Sequence, residues 1–80
     1  MKSSRPLSEI KNGARATLQS ITVGRELASR MTSLGLTPGA SVTMLQNFGH
    51  GPLIVNVRGT HVALGRGEAS RLLVTEEHIQ

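Results

Sequence analysis

The sequence predicts a mostly β fold, a small barrel of about five short strands with one helix inserted after the first strand. Three observations carry this reading. Apolar and polar residues alternate in several short runs, a single segment repeats its apolar residues at helical spacing, and Gly or Pro turn signals separate the runs. At 80 residues the chain has room for one domain, which buries about 60% of the surface its unfolded form exposes.

Residues 1–6 are polar and are assigned to a flexible tail, and the domain is expected over residues 7–75. Leu7 to Gly13 reads as one helical turn closed by Asn12-Gly13, with Leu7 and Ile10 turned onto the core. From Ala14 to Ile21 a two-residue period places Ala14, Ala16, Leu18 and Ser20 on one side and Arg15, Thr17, Gln19 and Ile21 on the other. Gly24 can cap a helix whose Leu27, Ala28, Met31 and Leu34 share one face and are expected in the core.

Leu34, Gly35, Leu36, Thr37, Pro38 and Gly39 then compress a helix stop, a hydrophobic clasp and a turn into six residues. Gly35 can adopt the left-handed conformation that ends a helix, and Leu36 can fold back onto the last turn. Pro38-Gly39 starts a new direction. Strands follow over Ser41–Phe48, Leu53–Arg58, His61–Gly65 and Arg71–Thr75, separated by Gly49-His50-Gly51-Pro52, by Gly59-Thr60 and by a helical turn near Glu68-Ala69-Ser70. Residues 76–80 are assigned to a second tail. Five short strands are too few for a sandwich but enough for an SH3-like barrel, whose closure would remove exposed sheet edges.

Composition narrows the function classes. With no cysteine, disulfides and thiolate metal sites are excluded. No apolar run follows the N-terminal residues and none is long enough to cross a bilayer, so a cytoplasmic protein without membrane insertion is expected. The net charge of +4 is scattered singly along the chain, as on an ordinary solvated surface. The five Glu, at positions 9, 26, 68, 76 and 77, form no acid/base dyad, and Gly65-x-Gly67 lacks the Lys and Ser/Thr of a phosphate loop. The chain is expected not to be an enzyme and to take no small-molecule substrate.

The order of these features resembles the FeoA family of small ferrous-iron transport accessory proteins. The resemblance spans about Leu7 to Thr75 and rests on Arg30-Met31 leading into Leu34–Gly39 with Val42 beyond, on the Gly-x-Gly-Pro-Leu turn at residues 49–53, and on Val62-Ala63-Leu64 followed by Arg66-x-Glu68-Ala69. Many relatives carry an acid where this chain has Gly51. The resemblance implies an SH3-like barrel with a helix after its first strand, and a cytoplasmic partner in FeoB, the membrane ferrous-iron transporter with a GTPase domain.

Within that family, metal binding is an alternative. His50, His61 and His78 are the only imidazoles and no two are spaced as a local pair, but His50 or His61 could join Glu68 in three dimensions as weak Fe²⁺ ligands; no cofactor is otherwise required. A single aromatic residue, Phe48, disfavours both proline-rich peptide binding and stacking on single-stranded nucleic acid. Backbone contact to nucleic acid by Arg15, Arg25, Arg30 and Arg58 is the second alternative. Protein recognition is favoured instead. The helix offers Arg25, Glu26, Arg30 and Ser33, and the following loop offers Phe48, His50 and Pro52. A homodimer through a strand edge or the helix stays open.

Overall fold

The computed structural model describes residues 4–22 and 24–77. Strands are β1 (Arg5–Pro6), β2 (Arg15–Ile21), β3 (Ser41–Gln46), β4 (Leu53–Val57), β5 (Thr60–Leu64) and β6 (Leu72–Glu76). A 3₁₀ turn spans Leu7–Glu9, and helices α1 (Arg25–Ser33) and α2 (Arg66–Ala69) complete the order. All strand pairs are antiparallel, in the spatial order β1-β6-β2-β3-β4-β5. The fold is thus mostly β, with one substantial helix inserted after the first long strand, as the period of the apolar residues requires.

Two assignments at the chain ends are corrected. Arg5 and Pro6 are not tail but pair with β6, and Arg5 bridges Glu76 at 3.3 Å and Glu9 at 3.6 Å. Proline fits there because an edge strand leaves one N–H side unpaired. At the other end, β6 runs through Glu76 and the Glu77 N–H donates to the Arg15 carbonyl at 2.8 Å. Backbone pairing with β6 at one end and with β2 at the other, rather than local composition, brings these polar ends into the sheet.

The strand periods produce the core. Ala16 and Leu18 from β2, Val42 and Met44 from β3, and Val55 and Val74 from β4 and β6 are all buried. Leu7 and Ile10 seal one end as expected, each 1% exposed. The register slips between Leu18 and Ser20 against β6, a β-bulge that reverses which residues face inward. Ile21 therefore packs against the core while Ser20 is only half-buried, opposite to a strict two-residue period.

The helix end differs from expectation in one residue. Met31 is fully buried and Leu27 is half-buried against the core, but Leu34 is 41% exposed. Leu34 occupies the cap, and the chain reverses at Gly35, where φ is +89°. Gly35 N–H donates to the Thr32 carbonyl at 3.0 Å and Leu36 N–H to the Met31 carbonyl at 2.8 Å, the paired bonds of a Schellman motif. Leu36, at 0% exposure, takes the core position that helical periodicity assigns to Leu34. The Thr37–Ala40 turn follows, closed by an Ala40 N–H to Thr37 carbonyl bond of 2.9 Å, with Gly39 at φ +94°.

A Cβ at Gly35 would meet Val57 Cγ1 at 3.6 Å, an ordinary contact. Its cost is therefore the positive φ alone, about 1–2 kcal/mol. Gly35→Ala should lower the melting temperature by roughly 4–15 °C; a thermal scan showing no change would contradict this account of the helix stop.

Candidate functional site

The organising residue of the β3–β4 loop is Asn47, which follows β3 and uses all of its side-chain hydrogen-bonding capacity. Its Nδ2 donates to the Ile10 carbonyl at 2.8 Å and the Ser8 carbonyl at 3.0 Å. Its Oδ1 accepts from Gly49 N–H at 3.0 Å and from Arg66 Nη2 at 2.7 Å. The Asn47 N–H in turn donates to Asn12 Oδ1. One amide thereby fastens the 3₁₀ turn, the loop and α2 together.

Arg66 completes the clamp. Its Nε donates to the Gly51 carbonyl at 3.2 Å and its Nη1 to the Ser8 carbonyl at 3.3 Å. Arginine suits this task because its planar fork reaches several acceptors in fixed directions. Among the described residues it has no carboxylate partner, so its charge is met by neutral oxygens.

This clamp holds the loop by its base and leaves its tip outside. Phe48 is 65% exposed, and His50 and Pro52 are also exposed. An aromatic side chain held in water by an anchored loop is the kind of group that becomes a hot spot when a partner covers it. Leu45, at 42% exposure, lies just before it where the β3–β4 register slips.

The helix residues fare unequally. Arg25, Glu26 and Ser33 are exposed. Arg30 is committed within the domain, where its Nη1 meets Glu68 Oε2 at 2.7 Å. Glu68 Oε1 accepts from Gly65 N–H at 3.0 Å and so caps α2. The helix and the loop are therefore connected through α2, which holds Arg30 by Glu68 and the loop by Arg66.

The residues weighed for metal binding have separate surroundings. His50 is in the loop, His61 lies on the exposed face of β5, and both Glu68 oxygens already have partners. Among the described residues no three His, Cys, Asp or Glu side chains are grouped to hold an ion; His78 lies outside them. Asn47 and Arg66 escaped sequence reading as site residues. The signal present was Asn two residues before Gly49, the spacing of an Asx turn; nothing local marks Arg66 as its partner.

A six-stranded antiparallel sheet of this order, with one inserted helix and an anchored exposed loop, defines a small SH3-like domain. The FeoA domain profile matches residues 5–76, and the chain belongs to the FeoA family. It is 30% identical over 71 residues to a protein of Methanocaldococcus jannaschii named for Fe(2+) transport as protein A, covering 89% of this chain and 85% of that one. A crystal structure of an iron uptake regulatory protein, FeoA, superposes with a TM-score of 0.89 at 35% identity, covering 94% of this chain and all of that chain. FeoA of Stenotrophomonas maltophilia, a prokaryotic SH3 domain protein solved in complex with zinc, superposes at 0.79 with 31% identity, covering 91% and 95%.

The clamp makes a direct prediction. Asn47→Ala leaves the Ser8 and Ile10 carbonyls and the Arg66 fork short of partners and should cost about 1–3 kcal/mol. In a double-mutant cycle with Arg66→Met, denaturant unfolding should show a coupling of about 0.5–3 kcal/mol. Strictly additive effects would mean the two side chains do not act together.

Proposed function

We propose that this chain is a non-enzymatic accessory protein of ferrous-iron uptake that docks on the cytoplasmic side of the FeoB transporter. Membership of the FeoA family is the observation that carries this reading. The anchored loop presenting Phe48, His50 and Pro52 is the docking surface that the geometry favours, with Arg25, Glu26 and Ser33 of α1 as a second contact. Arg30 contributes by fixing α1 to α2 through Glu68. No helix among the described residues is long and apolar enough to cross a membrane, so attachment would come through the partner.

A second reading, Fe²⁺ binding, is favoured by the zinc complex of the S. maltophilia relative. His50 and His61 are the exposed imidazoles that would supply it, and Glu68 would first have to leave Arg30.

Co-purification from membranes rich in the transporter, with and without guanine nucleotide, tests the first reading, and failure to associate in both conditions would count against it. Phe48→Ser and Arg25→Glu should each weaken association by about tenfold or more while shifting stability by no more than about 0.5 kcal/mol. Anaerobic calorimetry tests the second. It should show a saturable Fe²⁺ heat that His50→Ala together with His61→Ala removes; its absence in the unaltered chain sinks the metal reading.

A further inference from the structure

Asn12 and Gly13 stand side by side for two separate structural reasons. The Ala14 N–H donates to the Lys11 carbonyl at 3.0 Å and Gly13 has φ +84°, so residues 11–14 form a turn that needs a positive φ at its third position. Glycine meets that need without strain. Asn12 is the second residue of the turn, and its Oδ1 accepts the Asn47 N–H at the base of the β3–β4 loop. Turn geometry thus selects the glycine, and the loop contact selects the asparagine.

An Asn-Gly pair carries a reaction of its own. The Gly13 amide nitrogen, after giving its proton to solvent base, attacks Asn12 Cγ; the new N–C bond closes a five-membered succinimide, and the side-chain amide leaves as ammonia. Water then opens the ring. Cleavage between Gly13 N and Cγ gives aspartate at position 12, whereas cleavage between Gly13 N and the Asn12 main-chain carbonyl carbon gives isoaspartate, whose chain runs through the former side chain. Either route consumes one water and releases one ammonia. Glycine leaves the attack unhindered because it has no Cβ, and both residues are exposed to the water and base that the steps require.

The native turn withholds the nucleophile. Gly13 N–H donates to the Met44 carbonyl at 2.7 Å, and Met44 N–H donates to the Ala14 carbonyl at 2.9 Å. In a turn of this type the second residue has ψ of about +120°, which swings the Gly13 nitrogen away from Cγ. Asn47 Nδ2 holds the Ser8 and Ile10 carbonyls just ahead of the turn. The turn is therefore fastened by β3 on one side and by the Asn47–Arg66 clamp on the other, and ring closure waits for the clamp to open and for Asn12 to rotate.

We infer that Asn12 is a site of slow covalent self-modification, a loss of ammonia through the succinimide whose rate is set by opening of the loop clamp. The two products leave different structures behind. Aspartate keeps an oxygen in the place of Oδ1 and still accepts the Asn47 N–H. Isoaspartate adds a carbon to the main chain inside a four-residue turn, and the loop that carries Phe48 loses this tie at its base. The chemistry needs no partner and is independent of the docking described above.

The test incubates the full chain beside a capped peptide of residues 9–17 at mildly alkaline pH. Conversion at position 12 is followed by mass spectrometry of digested samples, with the aspartate and isoaspartate forms separated by chromatography. The peptide should convert about tenfold or more faster than the folded chain. Asn47→Ala should speed conversion of the chain about fivefold or more. Gly35→Ala, which weakens the fold away from the clamp, should leave the rate nearly unchanged. If Asn47→Ala does not fold, Arg66→Lys, which keeps the charge and loses the fork, takes its place with acceleration again expected. Amide hydrogen exchange at Asn47 should quicken in the isoaspartate fraction and stay slow in the Asn12→Asp variant. Equal rates in chain and peptide, no acceleration by the clamp variant, or an equal acceleration by Gly35→Ala would overturn the proposal. So would an Asn12 that stays intact in every form of the chain while the peptide converts fully, or Asn47 exchange that is the same in the isoaspartate fraction and in Asn12→Asp.

Discussion

The interaction on which the rest of the surface depends is the hydrogen bond between Asn47 Oδ1 and Arg66 Nη2, 2.7 Å long. It joins the end of β3 to the start of α2 and, through the other atoms of the same two side chains, draws in Ser8, Ile10, Gly49 and Gly51. Half-buried groups of this polarity are costly when unpaired. Here each is paired, and the carbonyls that a loop and a 3₁₀ turn would otherwise leave to water are consumed. The loop can then hold an exposed aromatic tip without being frayed at its base.

The four residues of α2 extend that constraint across the domain. Ala69 is fully buried and fixes the turn to the core, while Arg66 and Glu68 reach in different directions, one to the loop and the other to Arg30 of α1. The Arg30–Glu68 pair is largely exposed on its arginine side and by itself contributes little to stability. Its consequence is positional, since Glu68 also caps the Gly65 N–H and so cannot swing away without releasing both. Loop and helix are thereby connected through α2 although they are separated in sequence.

How much of this was legible depends on the range of the interaction. Local signals were readable: Gly35 and Gly39 adopt the positive φ their turns demand, and Val55 and Val57 alternate inward with no interruption. Errors arose where a strand broke its period. The bulge after Leu18 turned Ile21 inward; a bulge shifts every later residue by one place, and no residue type announces it. Leu34 was misplaced for a related reason, since helical spacing continues on paper past the point where Gly35 reverses the chain and gives the inward position to Leu36. The Asn47–Arg66 clamp was hidden because its partners are far apart in sequence, and only the folded sheet brings them together.

Among the described residues no buried side-chain nitrogen or oxygen lacks a partner. The interior is apolar, and the one buried polar residue among those described, Thr75, is 9% exposed. Chemistry in this domain is thus displaced to its outside, and there the sequence has divided its labour. The Leu34–Gly39 segment is occupied with ending a helix and launching a strand. The groups left facing water are of another kind, chief among them the aromatic tip of the β3–β4 loop, positioned by the clamp at its base without being consumed by it. A substitution in the first class acts through folding, whereas one in the second can change recognition while the fold stays intact. That separation lets a domain of this size keep its core while its contact surface is altered.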